Sequence, residues 1–532
     1  MTLTKPTNNI ENFPMTNKIK RALISVSDKA NLDKLAEILK EYKIEVLSTG
    51  GTAKALRQEG LEVIDVSEYT NFPEMMDGRV KTLHPKIHGG LLACLDNEGH
   101  VNSMKEHDIP SIDLVIVNLY PFEATVARGA DFEETIENID IGGPSMVRSA
   151  AKNYNFTTII TDAADYEVLE DELSENNGDT SLDFRKKMAA KAFARTASYD
   201  SAISSWFSKQ VGQEMPDTLN ISASLKQNLR YGENPHQKAA FYIYEGQKGI
   251  GSAKQLQGKE LSYNNINDAD AALQIVLEFQ EPAAVIVKHA NPCGVAQGSN
   301  IEEAYTKALA SDPVSAFGGI LAFNRPITTN LANEISKMFV EAIIAPSLEE
   351  EAKKIFAQKK NLRVLTIDDL EQTPKHLTTK AVIGGLLVQE NDHQMVGKSD
   401  LNIVTKRKPT DAELESLLFS FKVCKHVKSN AIVLVKDNAT IGIGAGQMSR
   451  VDSSRIAAMK AADCKENPDR AKGSVLASDA FFPFADGLIQ AAEVGVTAVI
   501  QPGGSIRDEE VIKAADDNDI AMVFTSERHF RH

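Results

Sequence analysis

Ala22-Leu23-Ile24-Ser25-Val26, the amphipathic stretch from Leu32 to Tyr42, and Glu45-Val46-Leu47-Ser48 follow one another near the start of the chain, and their reading decides the fold. Short apolar runs of this kind read as buried strands, and the longer stretch between them reads as a helix. Working outward, Thr52 to Gln58 is the next helix, and Leu114 to Asn118 and Thr157 to Thr161 are further buried strands. Ser181 to Phe207 is a long helix that closes the region. Strands alternating with helices predict βαβ units and a mostly parallel sheet. In such sheets ligands sit beyond the carboxyl ends of the strands, so chemistry is sought in the loops directly after them.

The aperiodic stretch Gln210 to Ser224, with Gly212 and Pro216, marks a domain boundary, which divides the chain into 1–215 and 216–532. The second half again alternates strands and helices and carries a faint internal repeat. Val285-Ile286-Val287-Lys288-His289-Ala290-Asn291-Pro292-Cys293-Gly294 lies on Val433-Leu434-Val435-Lys436-Asp437-Asn438-Ala439-Thr440-Ile441-Gly442. Downstream, Ser311-Asp312-Pro313 to Gly319 is echoed by Ser478-Asp479-Ala480 to Gly487. The shared order of two motifs favours a duplicated unit. The second copy holds Asp437 where the first holds His289, so only the first copy has that proton-transfer group.

The chain has 532 residues, with 58 Lys and Arg against 74 Asp and Glu, a net charge of −16. Apolar residues at 42% and charged residues at 25% are ordinary globular values, and the length allows roughly three or four domain-sized units. The acidic balance argues against nucleic acid as a partner, because a phosphate backbone demands surplus Lys and Arg. Small anionic substrates need only a local basic pocket. Cys94, Cys293, Cys424 and Cys464 lie far apart without a Cys-x-x-Cys pair, which fits neither a disulfide framework nor a Cys-rich zinc site and points to a reducing compartment. No apolar run reaches the roughly 18 residues of a membrane span. Met1 to Met15 reads as a loose polar tail without the apolar stretch of a signal peptide. A cytoplasmic enzyme with no membrane partner is expected.

Four loops of the first half carry phosphate-binding chemistry. Ser25-Val26-Ser27-Asp28-Lys29 supplies hydroxyls and an ammonium. Ser48-Thr49-Gly50-Gly51-Thr52 places two glycines at a helix start, where free N–H groups and the helix dipole attract anions. Arg79-Val80-Lys81-Thr82 packs two cations and a hydroxyl together, and Asp140-Ile141-Gly142-Gly143 offers a carboxylate and another Gly pair. Any one of these is more often a tight turn or a solvated face; their joint placement at strand ends favours an anion pocket. Lys152 follows on a short helical piece, and crowding against Lys81 or Arg79 would let it exchange protons near neutrality.

These motifs, with Phe72-Pro73-Glu74-Met75, Gly78 to Pro85 and Asn118-Leu119-Tyr120-Pro121-Phe122, stand in the order of the inosine monophosphate (IMP) cyclohydrolase domain, which the first half resembles. That domain has a methylglyoxal synthase-like, doubly wound parallel sheet. In the second half, Arg230-Tyr231-Gly232 opens a turn, and Lys288-His289-Ala290-Asn291-Pro292-Cys293-Gly294 sets a cation and an imidazole at a strand end. Pro292-Cys293 has half of a zinc deaminase signature but lacks His-x-Glu and a second cysteine, so no metal is expected there. The Gly-rich Ile441 to Arg450 loop lacks the acidic residue of a dinucleotide site and reads as a close backbone approach to a flat ligand, with Asn430 and Arg450 as polar contacts. Ser478 to Asp486 holds three aromatics, an exposed pair of which can sandwich a pterin-like ring. Together these stretches resemble the aminoimidazole carboxamide ribonucleotide (AICAR) formyltransferase half of the same bifunctional purine-biosynthesis family, two cytidine deaminase-like units without zinc.

The resemblance implies formyl transfer from 10-formyltetrahydrofolate to AICAR, then closure of the product, FAICAR, to IMP. His289 would be the base and Lys288 the oxyanion stabiliser, each effect worth about 10²–10³-fold or more. Arg230, Tyr231, Gly318, Glu341, Asn430 and Arg450 would hold the ribonucleotide, and Phe481, Asp486, Ser505, Ile506 and Arg528 the folate. For closure, Lys152 would donate and accept the proton, assisted by Asp140, Lys81 and Tyr120. Ser27, Lys29, Thr49, Gly50, Gly51, Thr52, Arg79, Thr82, Asn118 and Gly142 would grip the nucleotide. The resemblance further implies a homodimer, no tightly bound cofactor beyond the folate cosubstrate, and room for a structural monovalent cation. Two rivals remain: a methylglyoxal synthase-like lyase fused to an unrelated domain, and a catalytically silent nucleotide sensor.

Overall fold

The computed structural model describes residues 18–368, 372–465 and 467–532, so the expected tail, Met1 to Met15, lies outside the described residues. The chain forms two compact units, 1–223 and 224–532. In the first, five strands stand in the order β3-β2-β1-β4-β5, all parallel: β1 Arg21–Val26, β2 Glu45–Ser48, β3 Val63–Asp65, β4 Leu114–Asn118 and β5 Thr158–Ile160. The strands are apolar on both faces because helices cover both. Helix α1, Leu32–Glu41, buries Leu35, Ala36, Ile38 and Leu39, the stripe expected of a 3.6-residue period. Helices α2 Gly50–Gln58, α3 Pro85–Leu92, α4 Gly142–Lys152 and the 29-residue α5 Leu182–Gln210 complete the layers used below.

The second unit is built on one 12-stranded sheet. Its middle shows the duplication directly. From the first half come β9 Ala283–Lys288, β10 Asn291–Gln297, β11 Ile320–Phe323, β12 Ala342–Ala345 and β13 Arg363–Thr366, in the order β10-β9-β11-β12-β13. The second half repeats this order with β17 Ile432–Lys436, β18 Ala439–Gly444, β19 Val475–Ser478, β20 Ala498–Gln501 and β21 Ala521–Phe524. The halves join antiparallel through β10 and β18, with Ala296 opposite Ala439. Strands β8 Lys254–Gln257 and β16 Asn402–Ile403 close the two edges. Hairpins β6 Ser224–Leu229 with β7 Ala239–Ile243, and β14 Leu377–Val382 with β15 Gly385–Glu390, stand apart as two-stranded sheets.

Alternation along the central strands sorts the core into layers. Val285, Val287, Val433 and Val435 face one cluster shared by both halves, packed by α6 Tyr263–Val276 and α8 Asp411–Cys424. Ala284 and Ile286 face the other way under α7 Ile301–Ser311, as Ile432 and Leu434 do under α9 Arg450–Ala462. The repeat reaches single residues. A Cβ on Gly294 would lie 2.0 Å from the Ala308 carbonyl, and one on Gly442 would lie 2.1 Å from that of Ala457, so each half needs glycine where its helix crosses its strand. This corrects the reading of the Gly442 loop as an approach to a flat ligand. Gly442 and Gly444 are strand residues pressed on α9, with Ser453 O 1.9 Å from a Cβ on Gly444. The downstream echo is also corrected: Ser311 ends a helix before β11, whereas Ser478 ends β19, the counterpart of β11.

Arg470 staples the halves. Its buried guanidinium donates to Ala310 O (2.6 Å) and Ser311 O (2.6 Å) at the end of α7, to Lys460 O (3.1 Å) and Ala461 O (2.9 Å) at the end of α9, and to Ile441 O (2.7 Å). Helix C-termini carry unpaired carbonyls and partial negative charge, so one cation serves both. Arg470→Met should lower unfolding stability by at least about 3 kcal/mol, since several buried acceptors lose their donors. Urea denaturation checks this; an unchanged midpoint would show that the staple is dispensable.

Candidate active sites

In the first unit the sheet order changes direction between β1 and β4, which opens a crevice beyond their carboxyl ends. Asn118, the last residue of β4, organises one wall. Its Oδ1 accepts the Ser27 N–H (2.6 Å) and Asp28 N–H (3.0 Å), and its Nδ2 donates to Asp28 O (2.8 Å). The Asn118 side chain thus shapes the Ser27–Lys29 loop, besides any contact with substrate.

Helix α2 begins at Gly50, whose φ of 54° suits glycine. The Lys81 ammonium lies 3.4 Å from where a Gly50 Cβ would be, and that of Lys29 4.0 Å from a Gly51 Cβ. Thr49 Oγ1 is buried without a hydrogen-bond partner. Two ammonium groups, the open amides of a helix start and an orphaned hydroxyl make a seat for an anion. Thr52 contributes only its backbone, because its hydroxyl accepts the Val26 N–H (3.1 Å) and donates to Val26 O (2.9 Å). The cations are not bare: Lys81 pairs with Glu74 (2.9 Å) and Arg79 with Glu137. An anion bound here would have to displace or share these carboxylates. Beside Lys81 a cavity of about 380 Å³ runs between Phe72, Met75 and His84.

Asp140 faces the crevice from the start of α4. Burial pushes its carboxyl above the usual range, while the Gly143 and Tyr120 backbone N–H groups work the other way. Tyr199 on α5 sets the loop: its hydroxyl accepts the Asp140 N–H (2.8 Å) and donates to Asn138 O (3.0 Å). A Cβ on Gly142 would lie 2.6 Å from Thr82 Oγ1, which brings Thr82 to the same site, and Tyr120 stands exposed at its rim. Gly143→Ala would drive a methyl to 2.3 Å from Asp140 Oδ2 and 2.9 Å from Leu119 Cδ2. On the cyclohydrolase role expected of this crevice, the variant should lose IMP formation from FAICAR by about 10²-fold or more, through displacement of the carboxylate, with formyl transfer unchanged; equal loss of both activities would contradict it.

Lys152 is not brought to this pocket. It ends α4, whose other end carries Gly142, a separation of roughly 15 Å at 1.5 Å per residue. The next residue, Asn153, bonds Leu91 O and Ala93 O at the far end of α3. The expected crowding of Lys152 against Lys81 or Arg79 therefore does not occur within the chain.

In the second unit, Lys288 and His289 stand at the tight turn between β9 and β10. Lys288 Nζ donates to Phe317 O (2.5 Å) and lies 3.4 Å from a Cβ on Gly318, whose φ is 69°. Glu341 borders the same loop: its N–H donates to Gly319 O (3.1 Å), and its carboxylate pairs with Arg363 (2.7 Å). A cavity of about 260 Å³ opens from Lys288 and His289 past Cys293 to Asp312 and Lys460. Burial pushes the Cys293 thiol up to about 12, which removes it as a nucleophile.

Asn430 leans on Gln447 O through its Nδ2 (2.9 Å). Arg450 is less free than expected. Its Nε donates to Ser478 Oγ (2.8 Å) and one terminal nitrogen to buried Asp479 (2.6 Å), which leaves the other terminal nitrogen for a ligand. Arg230 and Tyr231 lie on the turn between β6 and β7, the guanidinium 5.7 Å from the ring centroid. Of the three clustered aromatics, Phe482 belongs to the core, whereas Phe481 and Phe484 are exposed. Arg507 lies 4.6 Å over the Phe484 ring, a neighbour the sequence did not flag. Asp486, the first residue of its helix, accepts the N–H of the next residue, Gly487 (2.8 Å), Ser505 accepts the Arg507 N–H (3.1 Å), and Ile506 is fully exposed. Arg528 lies over Phe530 (4.7 Å).

Residues 150–460 match the family model of the AICARFT/IMPCHase bienzyme, and residues 31–145 that of the MGS-like domain. The chain belongs to the AICARFT/IMPCHase bienzyme family. It is 59% identical over 520 residues to the bifunctional purine biosynthesis protein PurH of Rhodospirillum rubrum, covering 97% of this chain and 99% of that protein. It is 59% identical to PurH of Dinoroseobacter shibae over 524 residues, with the same coverage, and 58% identical to that of Parvibaculum lavamentivorans, covering 97% of each. A crystal structure of ForH aligns at 34% identity and a TM-score of 0.32 over 36% of this chain and 99% of that one. As a member of the bienzyme family the chain is both a transferase and a cyclohydrolase of purine biosynthesis, with 10-formyltetrahydrofolate as the formyl donor. Neither the lyase nor the silent sensor is supported.

Proposed function

We propose that formyl transfer takes place at the turn between β9 and β10 and ring closure in the crevice between β1 and β4. The observation that carries this reading is the pairing of an exposed imidazole, His289, with an ammonium, Lys288, at one strand end of a unit that also presents Asn430 and Arg450. The AICAR amine is a poor nucleophile because its lone pair is delocalised into the imidazole ring. His289 removes its proton as it attacks the formyl carbon, and Lys288 offsets the charge that develops on the formyl oxygen. The C–N bond to the folate then breaks as its nitrogen takes up that proton and tetrahydrofolate leaves. Arg230, Tyr231, Gly318, Glu341, Asn430 and the free nitrogen of Arg450 hold the ribonucleotide. Phe481, Asp486, Ser505, Ile506 and Arg528 hold the folate.

Closure needs proton transfer and orientation: the carboxamide nitrogen attacks the formyl carbon of the same molecule, and the former formyl oxygen leaves as water. Thr49, Gly50, Gly51, Lys29 and Lys81 grip the phosphate, with Ser27, Arg79 and Thr82 beside it. Asp140 moves the proton, and Tyr120 covers the ring. Supplying AICAR and 10-formyltetrahydrofolate and following tetrahydrofolate and IMP tests the whole reading; absence of either product overturns it.

A monovalent cation has a fitting place at Asp479, whose Oδ2 is buried without a hydrogen-bond partner while Oδ1 takes Arg450. Bound there, it would supply positive charge at Oδ2, the carboxylate oxygen that Arg450 leaves unpaired. A homodimer is favoured by the β14–β15 hairpin, which exposes Ile383, Leu386 and Leu387; a lone two-stranded sheet is marginal in water, and a second copy would cover it. Leu387→Lys should shift the mass measured by light scattering towards the monomer, and an unchanged mass would count against this face. No helix among the described residues is long and apolar enough to cross a membrane, and a cytoplasmic location fits the free cysteines.

A further inference from the structure

The duplicated sheet holds its own control experiment. The turns Lys288-His289-Ala290-Asn291 and Lys436-Asp437-Asn438-Ala439 occupy matching places, and both central residues of each have positive φ: 53° and 54° in the first, 52° and 53° in the second. Such a turn suits Asn, Asp and Gly. The second half obeys this with Asp437 and Asn438. The first half places His289 and Ala290 there, and alanine has neither the freedom of glycine nor a polar side chain to bond its own backbone.

An outside group holds the first turn. Asp268, on α6, accepts the His289 N–H at Oδ2 (3.2 Å) and the Ala290 N–H at Oδ1 (2.8 Å). In the second half the residue the same distance before the turn is Ser416, whose hydroxyl reaches only the Asn438 side chain (3.4 Å). The carboxylate is present where the imidazole is, and absent where the turn residues suffice. Asn291 completes the clamp: its Nδ2 donates to His289 O (3.2 Å), and its Oδ1 accepts the N–H of Lys428, two residues before Asn430.

We propose that Asp268 is a positioning residue for formyl transfer, holding the left-handed His289–Ala290 turn so that the imidazole meets the AICAR amine. The proposal rests on His289 as the base. Asp268→Asn replaces one acceptor oxygen by a donor. It should lower kcat for formyl transfer about 10- to 100-fold, the scale of a misplaced reacting group, with KM for AICAR within about twofold and closure of FAICAR unchanged. Adding Ala290→Gly relaxes the turn without the carboxylate and should recover about tenfold of the loss. Asp268→Ser serves as the second variant if Asp268→Asn does not fold, with AICAR binding by calorimetry as the check on the unit. Full transfer activity in both Asp268 variants overturns the proposal, and so does a loss that Ala290→Gly does not relieve. If His289→Ala itself transfers formyl normally, the reading of the base fails instead, whatever Asp268 variants do.

Discussion

His289→Ala abolishes formyl transfer and leaves closure of FAICAR to IMP intact: this is the largest effect expected of any single substitution in the second unit. Loss of a positioned base costs about 10²–10⁴-fold. Here the upper end is expected, because the nucleophile is an arylamine whose proton must leave as the new bond forms. Lys288 cannot replace the imidazole. Its ammonium is held 2.5 Å from Phe317 O and is placed to meet negative charge, not to take a proton. Cys293, which also lines the cavity, is held protonated by burial. Closure is spared because Thr49, Lys81 and Asp140 belong to the other compact unit. Tetrahydrofolate release with AICAR, and IMP formation from FAICAR, measure the two activities separately. Transfer within about tenfold of the parent enzyme, or loss of both activities, would contradict the assignment.

Asp140→Asn should do the reverse, abolishing closure while formyl transfer continues and FAICAR accumulates. It should do so without loss of stability at neutral pH, and the sign follows from the carboxyl's environment. Burial raises the Asp140 pKa above its ordinary value of 3.8, so the folded state binds this proton more tightly than the unfolded chain. Stability from this group is gained as pH falls through the raised folded value, and the ionised carboxylate is a cost above it. The neutral amide removes that cost, and its Oδ1 can still accept the Gly143 N–H, a 2.8 Å bond in the parent. The same shift sets the acid limb of closure: activity falls as pH drops through a value higher than for an exposed aspartate. Thermal melts at pH 7 and pH 5 check the stability arm. A clear drop in melting temperature at pH 7, or retained closure, would overturn the assignment.

The legible parts of the fold were those with a strong local period. Leu32–Glu41, Glu45–Ser48 and Leu114–Asn118 fall within a residue of the reading, because apolar spacing on a buried helix or strand is a property of neighbouring residues. The repeat was legible at Val285–Gly294 against Val433–Gly442 for the same reason. It was misread at Ser311 and Ser478, where two similar turns lie at different places in the topology. The glycines of β18 misled because a glycine admits a helix as readily as a ligand, and only the 2.1 Å approach of Ala457 O at Gly442 says which.

Residue types at strand ends, alternation of strands and helices, and the order of motifs determined by themselves what this protein is: a parallel-sheet unit with an anion pocket, followed by a duplicated unit with a Lys-His pair. Tertiary structure alone decided which of those residues meet. It carried Lys152 to the far end of α4, engaged the side chains of Asn118 and Thr52 with backbone groups of Val26 to Asp28 at the end of β1, and paired Arg450 with Asp479. It also brought in Asp268, Tyr199 and Arg470, which no motif marks. The reason is that period and propensity act between near neighbours along the chain. A hydrogen bond between His289 and a carboxylate one helix earlier depends on how that helix lies against the sheet, and packing settles that only once the whole unit has closed.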